Sequence, residues 1–80
     1  MRSKYTIVKQ ILEECRVPDT FKSQIEIELG LNHETLSTYL TWLVHHGHVE
    51  MYRSININYM ITSKGRDLLR ALEKVEELMI

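Results

Sequence analysis

All four histidines of the chain fall in one stretch, LNHETLSTYLTWLVHHGHVE, from Leu31 to Glu50, together with the only tryptophan, Trp42. Three of them crowd into His45, His46 and His48. Imidazole is the commonest metal ligand and the commonest general base, so metal binding and catalysis are the chemistries to test first. A zinc site needs three or four ligands converging within ~2.1 Å of one ion. His33 and His45 lie on one expected helix, roughly 18 Å apart along its axis, and cannot share an ion. His45 and His46 diverge by about 100° around that axis. His48 can approach one of them across Gly47, but no cysteine or acidic residue has ligand spacing to them. There is no glycine-rich phosphate loop, no nucleophile motif and no carboxylate pair at a catalytic separation. The expectation is therefore a protein that is not an enzyme, with no metal site and no cofactor. What remains is a helix end rich in imidazoles, which interact favourably with the helix dipole when protonated, by ~0.3–1 kcal/mol.

The elements that must position these residues follow from apolar spacing. Val8, Ile11, Leu12 and Cys15 mark one face of a first helix from about Lys4 to Arg16, ended by Pro18. Asp19 or Thr20 is the expected cap of a second helix, Phe21 to Leu29, with Phe21, Ile25 and Leu29 turned inward and Gly30 as its stop. Asn32 caps a third helix, His33 to His46, stopped at Gly47. Leu36, Tyr39, Leu40, Leu43 and Val44 form its buried stripe; Glu34, Thr38, Thr41, Trp42 and His45 lie opposite. The period then changes to two. Val49 and Met51 alternate with Glu50 and Tyr52, and Ile57, Tyr59 and Ile61 alternate with Asn58 and Met60, which reads as a hairpin around RSIN. Asn56 is the residue expected to take a left-handed conformation in that turn. Thr62 or Ser63 caps a last helix running to the C-terminus.

The 80 residues make one domain: 1–62 for the helices and hairpin, 63–80 for the last helix. Apolar residues at 44% and charged residues at 26% fit a soluble globular chain. No transmembrane run or signal-peptide block is evident, so a cytoplasmic location and no membrane partner are expected. Cys15, the only cysteine, is read as a buried filler. Net charge is −1, which alone does not point to nucleic acid. Its distribution says more. Residues 32–62 hold one fixed positive charge, Arg53, against Glu34 and Glu50, so the four histidines are the adjustable part.

A short turn, Gly30–Leu31–Asn32, joins two short helices, and a hairpin follows directly. This order, with IVKQILEEC in the first helix and YMITSKGRDLL across the second strand and the last helix, resembles the small archaeal winged-helix DNA-binding proteins, which include transcriptional regulators and chromatin-associated members. The resemblance spans nearly the whole chain. It implies an α+β, mainly helical winged helix-turn-helix: a three-helix core, a two-stranded wing and a C-terminal helix. It also implies that the second and third helices read DNA, the wing touches the neighbouring groove or backbone, and the last helix dimerises. Many relatives carry lysine or arginine on the exposed face of the reading helix; here Ser37, Thr38, Thr41 and Trp42 occupy that region.

In such a motif the first turns of the third helix reach base edges. His33, Glu34, Thr35, Ser37 and Thr38 are the candidates, although Glu34 could equally serve only to complement the helix N-terminus. Phosphate contacts fall to Arg2, Lys4, Lys22, Ser23, Gln24 and Arg53, with His45 joining them when charged; singly, each is as well explained as solvated surface. Trp42 suits stacking on a sugar, plugging a partner's pocket, or folding over Tyr39 or the wing. Ile55 at the wing tip suits a dimer or crystal contact better than a minor-groove wedge. Leu68, Leu72, Val75 and Met79 have the 4–3–4 spacing of a short helix-pairing seam, with Leu69 and Leu78 left for the chain's own core. The seam is short, so help from Tyr5 and Ile7 is expected. The reading is a homodimeric transcriptional regulator that binds double-stranded DNA and uses no small-molecule ligand. The alternative is a winged-helix protein-interaction module without DNA binding.

Overall fold

A computed structural model describes residues 2–79 and gives the order α1 (Lys4–Glu14), α2 (Lys22–Leu29), α3 (His33–His45), β1 (Val49–Arg53), β2 (Ile57–Ile61) and α4 (Ser63–Leu78). This is the expected winged helix. The expected end of the last helix at Ile80 lies outside the described residues. Three helices start at a side-chain cap. Ser3 Oγ accepts from the Thr6 amide, Asn32 Oδ1 from Thr35 at 2.8 Å, and Thr62 Oγ1 from Gly65 at 3.0 Å. Each satisfies an amide that the first turn would leave unpaired.

The start of α2 departs from expectation. Its N-cap is Phe21, with no side-chain cap bond. Thr20 is buried, and its hydroxyl donates to Val17 O at 2.7 Å and lies 3.1 Å from Glu14 O, so it closes the end of α1. Asp19 has φ +60° and accepts from the Tyr52 hydroxyl at 2.9 Å. Both cap-type residues serve neighbouring elements. α1 itself stops at Glu14, short of Arg16, because the amides of Arg16 and Val17 turn back to Glu13 O and Glu14 O. Cys15 then enters the core, and burial pushes its thiol up to about 12.

The core gathers Ile11, Leu12 and Cys15 with Ile25 of α2, Leu36, Leu40 and Leu43 of α3, and Leu69 of α4. The hairpin register pairs Val49 with Ile61, Met51 with Tyr59, and Arg53 with Ile57. Only its base follows the expected alternation. Val49 and Ile61 are buried, whereas Met51 and Ile57 are exposed because the hairpin runs out beyond the core. Asn58, expected to face outward, is only 2% exposed. It bridges to Phe21, and its Oδ1 accepts from Ser54 Oγ at 2.9 Å. The amides of Tyr59 and Ile61 donate to Thr20 O and Cys15 O, so β2 borrows the α1–α2 connection as a neighbour. Asn56 is not left-handed; among the described residues Asp19 is the one non-glycine with positive φ. The turn is closed instead by the Ser54 amide on Asn56 O.

The histidine-rich end of α3 is a junction. The carbonyls of His46, Gly47 and His48 accept in turn from Lys64 Nζ at 2.7 Å, Thr62 Oγ1 at 2.6 Å and the Thr62 amide at 3.1 Å. Gly65 sits so close that a Cβ there would lie 2.0 Å from His48 O. This clamp fixes α3 against α4. Farther along α4, Leu69 is buried and Leu68 and Leu72 are partly buried, but Val75, Leu78 and Met79 are exposed. Leu78 therefore does not pack on the chain's own core as expected: the core ends before the helix does. Lys9 bridges α1 to α4 through Glu76 at 3.2 Å, which raises its pKa.

Candidate nucleic-acid interface

With Leu36, Leu40 and Leu43 committed to the core, a rotation of about 100° per residue sends Glu34, Thr38, Thr41 and His45 to the opposite side. All four are exposed. They form one outward row along α3. Thr38 Oγ1 donates to Glu34 O at 3.0 Å, which holds the hydroxyl near the helix surface. Thr41 lies in this row, where its helical spacing places it, although the base-reading candidates end at Thr38.

The other expected base-reading residues flank the row. Thr35 turns towards α1 and α4. Ser37 turns the other way and accepts a hydrogen bond from Lys22 Nζ. Lys22 Nζ also lies 3.1 Å from the His33 ring nitrogens, and His33 Nδ1 is 3.4 Å from Glu26 Oε2. The structure thus gathers Lys22, His33 and Ser37 into one polar cluster where α2 meets α3. Lys22 and Ser37 also line a hollow of about 370 Å³ with Thr41, His45, Met51 and Tyr59, between α3 and the hairpin.

Ser23 and Gln24 are exposed on the first turn of α2, the helix start without a side-chain cap. Backbone donors at such a terminus favour an anion. Arg53 is exposed on β1 and shares a hairpin face with Met51 and Tyr59, by the alternation of the strands. Arg2 and Lys4 stand at the start of α1; Arg2 donates to Gln10 Oε1 at 3.0 Å, and Lys4 borders a second groove.

That groove, about 660 Å³, lies between α1, α3 and α4 and is walled by Tyr5, Val8, Tyr39, Trp42, Leu68 and Leu72. Trp42 is 48% exposed, and its ring centroid is 4.5 Å from His46 and 5.7 Å from His48. Trp42 therefore belongs to the apolar flank of α3 with Tyr39, not to the wing. Of the expected seam, Leu68 and Leu72 border this groove, and Val75 and Met79 continue beyond it. His46 and His48 stack at 6.5 Å. Among the described residues, no group of three histidine, cysteine or acidic side chains is placed to hold a metal ion. Among the described residues, no helix is long and apolar enough to cross a membrane.

A family model described as winged helix-turn-helix matches residues 1–80. Among solved structures, the chain is similar to Sso10a-2, a DNA-binding protein from Sulfolobus solfataricus, with a TM-score of 0.87 and 25% identity. That match covers 98% of this chain and 82% of the other. No curated protein matches in sequence.

Proposed function

Because the chain belongs to the winged helix-turn-helix family, we propose that it binds double-stranded DNA with α3 in the major groove and regulates transcription as a homodimer. The observation that carries this reading is the outward row Glu34, Thr38, Thr41 and His45, exposed on α3 opposite its buried Leu36, Leu40 and Leu43. Hydroxyls can donate to or accept from base edges, and a carboxylate can accept from them. Around the row, Lys22 and the uncapped start of α2 lie on one side and Arg53 on the wing, positions suited to phosphates. The DNA-binding description of Sso10a-2 supports the same reading.

Dimerisation has its own support. An antiparallel pairing of two α4 helices about a point between Glu73 and Lys74 sets Leu68 against Met79 and Leu72 against Val75. Val75 and Met79 are 52% and 81% exposed in the single chain, and pairing would cover them. Tyr5, also exposed, lies on the same side through the groove. The apolar groove around Trp42 favours a second reading, a protein-interaction module without DNA binding.

Selection of bound duplexes from a random pool tests the DNA reading. Thr38→Ala should change the preferred base at one position, by about 1 kcal/mol or roughly fivefold. Lys22→Ala should weaken binding to all sequences alike. A selected pool that shows no preference with the wild type, or the same preference with Thr38→Ala, contradicts the assignment of α3 as the reader.

A further inference from the structure

Ile55 is 97% exposed at the tip of the hairpin, so it contributes nothing to the core. Tight turns favour glycine, asparagine, aspartate, serine and proline; a β-branched apolar residue there goes against local preference. Its neighbour Ile57 is 42% exposed and pairs with Arg53. The outer third of the wing thus offers two apolar side chains, a guanidinium and the exposed amide of Asn56.

The base of the hairpin is firmly held. Tyr52 donates to Asp19, the Tyr59 amide donates to Thr20 O at 2.8 Å, and Asn58 is buried against the α1–α2 connection. Arg53 and Ile57 face the same side as Met51 and Tyr59, which line the hollow beside α3. An apolar tip on a braced arm beside a reading helix has the form of a wedge. Side chains of this type insert between base steps from the minor groove, unstack them in part and kink the duplex. Arginine is attracted to a narrow minor groove, and asparagine reads its acceptors.

We propose that Ile55 wedges into a base step of the minor groove next to the site read by α3, so that the protein bends the DNA it binds. This rests on the DNA-binding reading above. Pyrimidine–purine steps unstack most easily, so TpA steps are the expected point of entry.

A short duplex rich in TpA steps, carrying 2-aminopurine in place of some adenines, tests the inference, because that base brightens when unstacked. Saturating wild-type protein should raise the fluorescence. Ile55→Ser should bind several-fold more weakly, keep the base preference set by α3 and leave the fluorescence at the free-duplex level. Ile55→Met should restore the rise. Both variants should melt at the wild-type temperature, since the side chain touches no core. Bound wild type without a rise, or a rise that survives in Ile55→Ser, overturns the wedge alone. A wild type that binds no duplex overturns the DNA reading and the wedge together.

Discussion

His48 shows how a single side chain reports on the junction between α3 and α4. Its Nδ1 is buried with no hydrogen-bond partner. Burial lowers its pKa, and the positive charge of Lys64 and the neighbouring His46 act in the same direction; a backbone hydrogen bond opposes them. The folded state therefore binds a proton less readily than the unfolded chain, whose histidine titrates near ~6.5. Its contribution to stability is complete above that value and is lost as pH falls through it towards the lower folded pKa. The melting temperature should drop on acidification from about pH 7.5 to 5.5, and His48→Gln should flatten that drop; parallel wild-type and mutant curves would contradict the assignment. The sequence showed a helix ending at Gly47 among imidazoles. It could not show that three successive carbonyls there are taken by Thr62 and Lys64, because those partners come from beyond the whole hairpin. Trp42 was equally ambiguous: helical spacing put it off the core stripe, and only the approach of α1 and α4 made that flank a groove.

At the scale of elements, the helices were legible because their signals are local. Asn32 and Thr62 cap the helices they precede, Gly30 and Gly47 stop the helices before them, and the α3 stripe of Leu36, Leu40 and Leu43 is buried as spaced. The hairpin and the start of α2 were less so. Alternation assumes that one face of a strand meets the core along its whole length, but this wing leaves the core beyond Val49, Tyr59 and Ile61, and Asn58 is buried by the α1–α2 connection instead. Asp19 and Thr20 look like caps, yet Thr20 closes the end of α1 and Asp19 holds Tyr52 of the hairpin. The glycine of SKG acquires a physical reason at this scale. Gly65→Ala would drive a methyl into the His48 carbonyl and the Ile61 side chain. The cost should be at least the ~1–3 kcal/mol of ordinary overpacking, because backbone cannot yield as a side chain does. Chemical denaturation measures it, and a loss below about 0.5 kcal/mol would mean that α4 does not start against His48.

The whole molecule carries a net charge of −1 and an apolar stripe that its own core leaves uncovered. Placing a charge in that stripe should separate the copies without unfolding either. Val75→Glu is expected to sediment as a folded monomer while the wild type sediments as a dimer; a wild type that stays monomeric at high concentration removes the pairing of α4. The same charge balance should set the salt dependence of the proposed DNA binding. Few fixed cations surround α3, so about three phosphates should be neutralised per subunit, by Lys4, Lys22 and Arg53, or about six by the proposed homodimer. Each contributes about −0.9 to the slope of log K against log salt. The most direct measurement is a titration of duplex DNA with the protein at two salt concentrations. The expected result is clear binding at low salt with a slope of about −3 for each bound subunit, or about −5 for the homodimer. No binding to duplex DNA even at low salt would contradict the assignment of α3 and the wing as a DNA-reading surface.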